Sequence, residues 1–397
     1  MPDDSHRSDQ PRRSPAARII LSLLGLGTLA LLVCCGGCGF RFWSLSDPDH
    51  QITISPETTV FTEPLKPNGD VDFIAALDDR LSEGVTPENN AVVLLVEAFG
   101  PGEIRAENRS EFFAKLGVPA LPEVGDYLIG EYAYAKELAD ISGQHVGDVS
   151  EAFSENRAEA SSRPWTRDEF PEVAAMLERN SEALDLVVQA SRRPRYYSPL
   201  IADEEFPMLV GVLLSIEQQQ RDGVRQLTAR AMLKLEEGDA EGAWEDLLAC
   251  HRLARRLSES WSLIGGLVAI AIESMTVASD TAYLESSVVT AEQARQCLQD
   301  LENLAPLPVM ADIVDQGERL VFVDGVILVT RSGTDALAGL IATDVPEGGD
   351  SYGGRRLLNA AIDWDIVLTV AHERYDEIVA AMQIEDYATR SAELQRI

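Results

Sequence analysis

The chain has 397 residues, a formal net charge of −33 and 45% hydrophobic residues. Its length gives room for two or three domains, and its apolar content is enough for a real core. The negative charge argues against nucleic acid and anionic membrane surfaces as partners, except through a local basic patch. Outside the N-terminal region the cysteines are Cys250 and Cys297, for which one disulfide bridge and two buried thiols are equal alternatives.

An apolar run without charge occupies residues 19–39. Four arginines precede it: Arg7, Arg12, Arg13 and Arg18. A helix needs roughly 20 mostly apolar residues to cross a bilayer, and positive charge stays on the cytoplasmic side. The sequence therefore predicts a single-pass bacterial membrane protein whose transmembrane signal anchor, residues 19–40, contacts the lipid bilayer. Residues 1–18 form a cytoplasmic tail, and the C-terminal domain is extracytoplasmic.

Two alternatives to a retained anchor remain open. Cys34, Cys35 and Cys38 lie where the lipid-modified cysteine of a lipoprotein would be, although the residues before them fit such a site poorly. A cleaved secretory signal would also begin with positive charge and an apolar segment, but the apolar segment is long for that class. All three interpretations export the chain.

A proline-rich connector, residues 41–69, follows the anchor, with one short strand predicted at 58–62. Residues 70–397 then show helical periodicity and predict an α-helical extracytoplasmic domain, with 70–200 and 201–397 as candidate lobes. The fold class is mainly α, with at most one or two short strands. The predicted helices are 70–82, 87–99, 110–116, 127–141, 171–191, 207–237 (one helix or two), 240–257, 290–304, 309–330 and 356–382. Residues 142–163 are predicted to be the least structured part, and 346–354 a mobile glycine-rich loop.

Residues 262–279 are apolar enough to be considered as a second membrane span. Their length lies at the lower limit for a span, and Glu273 would place a carboxylate inside the bilayer. A buried core helix is therefore the preferred interpretation.

The loop 192–199 (RRPRYYSP) is the one basic and aromatic patch in this acidic chain. It is suited to an anionic partner through arginine pairing and tyrosine stacking. Alternatively, it is a turn whose arginines neutralise nearby carboxylates and whose tyrosines pack on the core. One loop does not make a basic face, so the structural interpretation is favoured.

Residues 227–257 resemble one tetratricopeptide-type helical hairpin. Small residues stand where two helices would touch, Ala231 and Ala243, and Gly238-Asp239 stands at the turn. A continuous array needs about three repeats, and no further copy follows, so the resemblance implies a helical hairpin only. Most of 57–397 also resembles a family of planctomycete-type single-span exported proteins, through NGDVDFIAALDDRLSEGVTPENNAVVLL, ASRRPRYYSPL and DLLACHRLARRL. That resemblance implies no activity and no catalytic residues.

Three apolar helices contain ionisable groups: Glu273; Glu318, Arg319 and Asp324; and Asp363, Asp365 and His372. The weak catalytic candidates are Glu273, Asp324, Asp363 and His372. Two such carboxylates facing a cavity would suit hydrolysis of a glycoside or ester. The structural alternative, which is favoured, is that each acid pairs with a neighbouring arginine (Arg319, Arg331 or Arg355) or faces water.

His372 and Asp376 occupy the two ligand positions of an H-E-x-x-H-like segment, but the second ligand is not histidine and no third ligand is evident. No cofactor and no metal site is therefore predicted. The chain has no phosphate-binding loop, no dinucleotide fingerprint and no nucleophile elbow. The sequence favours a structural or protein-interaction role in the cell envelope, with an envelope protein as the partner. The alternative is an envelope hydrolase that uses buried carboxylates.

Overall fold

A computed structural model describes residues 52–202, 208–212, 215–257, 259–307, 309–332, 359 and 361–397. The predicted tail, the anchor and the glycine-rich loop 346–354 lie outside these residues. The chain forms two compact units. One combines the described residues up to Thr62 with those of Phe322–Arg374, and the other combines Glu63–Val321 with Tyr375–Ile397.

The described part is mainly helical, as predicted, and contains no strand beyond two isolated β-bridges. Its first helices are α1 (Phe73–Ser82), α2 (Ala91–Phe99), α3 (Arg109–Leu116), α4 (Glu131–Ser142), α5 (Val146–Ala160), α6 (Pro171–Arg179) and α7 (Ser181–Ser191). They are followed by α8 (Ser215–Glu236), α9 (Ala240–Leu257), α10 (Leu263–Glu285), α11 (Ala291–Glu302), α12 (Met310–Ile313), α13 (Arg319–Ser332), α14 (Trp364–Met382) and α15 (Tyr387–Arg396). A π-helical segment, Val314–Glu318, joins α12 to α13.

The predicted strand at 58–62 is wrong. Ser55 begins a turn, and its carbonyl oxygen accepts hydrogen bonds from the backbone N–H groups of Thr58 and Thr59 at 3.1 and 2.9 Å. The Thr59 hydroxyl donates to the same carbonyl at 3.1 Å. Local hydroxyl-to-backbone bonds of this kind compete with strand pairing, and here they favour the turn.

The core of the larger unit is built around α8, α9 and α10, which pack against one another. Gly238 connects α8 to α9 with a φ of 86°, a left-handed conformation that glycine adopts without steric cost. Ala231 and Ala243 are fully buried where the two helices meet. Residues 227–257 therefore contain parts of two helices that pack against each other and are joined by a tight turn.

The predicted single helix at 171–191 is interrupted at Asn180, which separates α6 from α7. The Asn180 side chain is 1% exposed and bonds to the backbone of Ile129 in both directions, at 3.0 and 2.9 Å. It also donates to the Gln226 side chain at 2.7 Å. These partners lie far away in the sequence, so local periodicity could not show the interruption.

The prediction that 142–163 is the least structured segment is wrong, because α5 fills most of it. The helix buries only Phe153 and Ala160, so its apolar periodicity is weak in the sequence. Contact with α4, α6 and α8 stabilises it instead.

Among the described residues, α10 is the one helix long and apolar enough to cross a membrane. It packs along α8 and α9, and its Glu273 and Asp280 both contact His251 of α9. Paired carboxylates on the face that contacts α9 favour the core-helix interpretation of this segment.

The smaller unit is described through parts of α13 and α14 and the residues before Thr62. Asn359 joins the two helices, since its amide donates to the Thr330 carbonyl at 2.9 Å and its side-chain oxygen accepts from the Trp364 indole at 3.0 Å. Asp365 accepts a hydrogen bond from the Thr53 backbone at 2.9 Å.

Candidate functional site

A pocket of about 310 Å³ lies in the larger unit, where the ends of α7, α9 and α11 meet. Its lining residues are Ser191, Arg192, Arg252, Arg255, Arg256, Asp300, Asn303, Leu304 and Ala305. Four of these nine residues are arginines in a chain whose net charge is −33. We call this site the arginine pocket.

Helix geometry explains the clustering of three of the arginines. Arg252, Arg255 and Arg256 are spaced by three and four residues in the last turns of α9, so they lie on one helix face. The C-terminal end of a helix carries partial negative charge, which favours cations there. Arg192 follows the end of α7 and completes the group.

Three of the four arginines have their own partners. Arg192 forms an ion pair with Glu245. Arg255 binds both carboxylate oxygens of Glu273, at 2.5 and 3.2 Å, and donates to the Ala305 carbonyl at 3.0 Å. Arg256 donates to Glu259 at 2.6 Å and to the Pro194 carbonyl at 2.8 Å. These three guanidinium groups are therefore held in place and neutralised.

Arg252 differs from the other three. Within the described part of the chain it forms no hydrogen bond and no ion pair, although it is partly buried. Burial, and after it the charge of Arg192, lowers the pKa of Arg252, whereas the charge of Asp300 acts in the opposite direction. The pocket thus contains a guanidinium that has lost part of its hydration and has gained no protein partner in return.

Asp300 is the carboxylate of the pocket. It accepts hydrogen bonds from the Trp244 indole and the Gln296 amide, each at 2.9 Å. Both donors are neutral, and no arginine or lysine among the described residues forms an ion pair with Asp300. Asp300 is therefore oriented, but its negative charge is not neutralised.

A buried ionic cluster of His251, Glu273 and Asp280 contacts the pocket-lining residue Arg255. His251, 1% exposed, lies 3.0 Å from Glu273 through Nδ1 and 3.0 Å from Asp280 through Nε2. Carboxylates only accept hydrogen bonds, so both ring nitrogens carry protons. Burial alone would lower the His251 pKa, but the bonds to Asp280 and Glu273 raise it to about 9. The cluster fixes Glu273, and Glu273 in turn fixes Arg255 at the pocket wall.

The four catalytic candidates from the sequence have different surroundings. Glu273 belongs to the larger unit and contacts Arg255 and His251, while Asp324, Asp363 and His372 belong to the smaller unit. Asp324 is 5% exposed. Asp363 is exposed and accepts a hydrogen bond from the Ile366 backbone at 3.3 Å. His372 lies 2.9 Å from the Thr58 carbonyl, to which its Nε2 donates.

Asp376, at the second ligand position of the H-E-x-x-H-like segment, has an arginine partner. Asp376 accepts a hydrogen bond from Arg319 at 2.6 Å. The described residues contain no group of three histidine, cysteine or carboxylate side chains placed to hold a metal ion. Cys250 and Cys297 are both buried free thiols.

The basic loop after α7 is mostly structural. Arg193 donates to the carbonyls of Pro87 and Glu88, and Arg195 donates to that of Glu83 at 3.1 Å. Tyr196 and Tyr197 are each 5% exposed and pack in the core. These residues therefore act as the structural turn that the sequence favoured. The difference is that Arg193 and Arg195 bind backbone carbonyls rather than carboxylates.

Sequence reasoning missed Arg252 and Asp300 as site residues. The segment HRLARRL does carry the signal, since its arginines recur at helical spacing. Nothing in the sequence shows that Arg252 has no partner within the described ranges or that Asp300 lines the same pocket. The chain matches no protein-family model, no curated protein and no solved structure.

Proposed function

We propose that the protein is a membrane-anchored, extracytoplasmic helical protein that binds a carboxylate-bearing group of an envelope partner in the arginine pocket. The observation that carries this proposal is Arg252, a partly buried guanidinium without a hydrogen-bond or ion-pair partner in the described part of the chain. A guanidinium presents a planar fork of N–H donors that matches the two oxygens of a carboxylate.

The surroundings favour a carboxylate over a phosphate. Both anions can bind a guanidinium through two oxygens. Asp300 lines the same pocket, and its uncompensated negative charge repels a dianion more strongly than a monoanion. Arg192, Arg255 and Arg256 are already neutralised by their own carboxylates, so they add little attraction for a second negative charge.

The envelope location rests on the apolar run 19–39 and the four arginines before it. A helical unit held near a membrane surface, with a polar pocket and no catalytic motif in its sequence, is suited to holding a partner. The arginine pocket does not supply the two facing carboxylates that the hydrolase alternative needs, because Asp300 is the one carboxylate among its lining residues.

Trp244 gives a local signal for a binding experiment, because its indole donates to Asp300. The full chain, in detergent micelles, would be labelled with fluorotryptophan, and its five tryptophan signals would be followed by fluorine NMR. Trp244→Phe assigns the Trp244 signal. The probes are N-acetylleucine, which carries a carboxylate, N-acetylleucinamide, which does not, and inorganic phosphate.

N-acetylleucine should shift the Trp244 signal in a saturable manner, and N-acetylleucinamide should not. Arg252→Gln should weaken N-acetylleucine binding by about tenfold or more, since it removes a charge-assisted contact. Arg295→Gln is the matched control and should change nothing, because Arg295 is an exposed arginine of α11 whose ion-pair partner in the described part of the chain is Glu292. Equal binding of the two leucine derivatives, or tighter binding of phosphate than of N-acetylleucine, would overturn the carboxylate assignment.

A further inference from the structure

The arginine pocket contains two opposite charges that are not paired with each other. Arg252 and Asp300 both line it, and the charge of Asp300 opposes the lowering of the Arg252 pKa that burial and Arg192 cause. Within the described residues, however, no hydrogen bond or ion pair joins them. The space between a cation and an anion that share one pocket is electrostatically suited to a ligand that carries both signs of charge.

We infer that the group bound in the arginine pocket is a zwitterion of the α-amino acid type, with its carboxylate on Arg252 and its ammonium on Asp300. This inference rests on the proposed function and makes it more specific, because it adds a second charged group to the ligand. It concerns a free amino acid, or a partner that ends in an amino-acid group whose ammonium and carboxylate are both free.

The other ionised side chains that line the pocket leave these two charges uncompensated. Each remaining arginine has a carboxylate partner: Arg192 with Glu245, Arg255 with Glu273, and Arg256 with Glu259. The two hydrogen bonds to Asp300 come from neutral groups and leave its full charge in place. One positive and one negative charge among the lining residues therefore remain for a ligand, and a zwitterion matches both. A simple anion is less favourable, because Asp300 repels it.

The Asp300 carboxylate is already held in an orientation that can accept a hydrogen bond from an ammonium group. The Trp244 indole and the Gln296 amide each occupy one of its oxygens, and a carboxylate has about four acceptor sites in all. Acceptor sites therefore remain for a ligand N–H. Because the carboxylate is already held in place, a ligand ammonium binds without the entropy cost of ordering it.

The size and the remaining lining of the pocket fit a single amino-acid unit. A volume of about 310 Å³ lies at the small end of ligand pockets. Leu304 is partly buried and offers an apolar contact for a ligand side chain, which makes leucine a suitable probe.

The test uses the same labelled full chain and compares three ligands that differ at one group. Leucine carries the ammonium, N-acetylleucine replaces it with a neutral amide, and the 2-hydroxy acid analogue of leucine replaces it with a hydroxyl. Leucine should bind about tenfold or more tightly than either of the other two, because it alone makes the charge-assisted bond to Asp300. This comparison needs no variant and so does not depend on the folding of one.

Asp300→Asn then assigns the preference to one residue. The asparagine keeps an acceptor for Trp244 but loses the charge, so the advantage of leucine over N-acetylleucine should disappear while N-acetylleucine still binds. Asp312→Asn, an exposed aspartate of α12, is the matched control and should keep the advantage. In Arg252→Gln, all three carboxylates should bind more weakly.

The outcomes separate the two proposals. If N-acetylleucine binds in an Arg252-dependent way but leucine binds no more tightly, the zwitterion inference is wrong and the carboxylate proposal stands. If no carboxylate binds, both are wrong. If leucine is preferred equally by the native chain and by Asp300→Asn, the ammonium contacts another group and the assignment to Asp300 is overturned.

Discussion

Arg230 and Asp246 face each other in the interior between α8 and α9 and form two hydrogen bonds, of 2.9 and 2.7 Å. The Asp246 side chain is 1% exposed and also contacts Lys234 at 2.8 Å. A charge removed from water to this degree is stable only while its partners remain, so this pair fixes how the two central helices pack.

Asp246→Asn should therefore destabilise the larger unit by about 3 kcal/mol or more, because it leaves the cation of Arg230 buried without its main partner. Asp185→Asn is the matched control. Asp185 contacts the same guanidinium at 2.8 Å, but its side chain is 65% exposed, so its loss should cost less than about 1 kcal/mol. Denaturant unfolding of both variants measures the difference, and equal effects would contradict the assigned role of burial.

The His251 cluster predicts a specific dependence of stability on pH. The pKa of the His251 imidazole is about 9 in the folded chain, against 6.5 for an unperturbed histidine. A raised folded-state pKa means that the stabilisation is complete below pH 6.5 and is lost as the pH rises through 9. At about 1.4 kcal/mol for each pH unit between the two values, the cluster contributes about 3 kcal/mol.

His251→Gln should therefore be less stable than the native chain at low pH, and the difference should shrink as the pH passes 9. Denaturant unfolding measured across that range gives the two curves. His145→Gln is the control, because this exposed imidazole has no carboxylate partner among the described residues and accepts a hydrogen bond from the Gly147 backbone instead. A difference between His251→Gln and the native chain that does not change with pH would show that the imidazole stabilises by packing alone.

Gly317 in the π-helical segment lies directly against the backbone of Trp261. A Cβ at this position would overlap the Trp261 carbonyl oxygen, which cannot move as a side chain would. Gly317→Ala should therefore destabilise the chain by roughly 1–3 kcal/mol. A Cβ added at Gly325, in α13, would have no atom within 4 Å. Gly325→Ala should therefore stabilise the chain by roughly 0.5–1 kcal/mol, since alanine is the better helix former. Thermal unfolding should give shifts of opposite sign, and a destabilised Gly325→Ala would contradict this explanation.

The anchor prediction can be tested with the full chain in bacterial cells. A transmembrane helix at 19–40 should keep the chain in the membrane after an alkaline wash, and protease added to intact spheroplasts should digest the part that follows. Replacing Cys34, Cys35 and Cys38 together with serine should leave retention unchanged, because the helix holds the chain. Release of the serine variant would instead support the lipoprotein alternative, and a soluble native chain would support cleavage.

Local patterns in the sequence were sufficient for the elements that carry their own signals. The predicted helix 290–304 corresponds to α11, which begins with a capping box at Thr290 and Gln293 whose two hydrogen bonds are both present. Gly117 ends α3 in the left-handed conformation, and Gly238 forms the predicted turn between α8 and α9. These features depend on residues within one or two helical turns, so a pattern read along the chain contains them.

The tertiary structure decided everything that depends on distant partners. Asn180 separates α6 from α7 because Ile129 and Gln226 bind its side chain, and α5 is stable through its neighbours rather than through its own periodicity. The same is true of the arginine pocket. The sequence determined that this is a helical, acidic chain with an apolar N-terminal run and a basic segment at the end of α9. Only packing decided that Arg252 lies near Asp300 and has no hydrogen-bond or ion-pair partner among the described residues, because charges 48 residues apart interact through space and not along the chain.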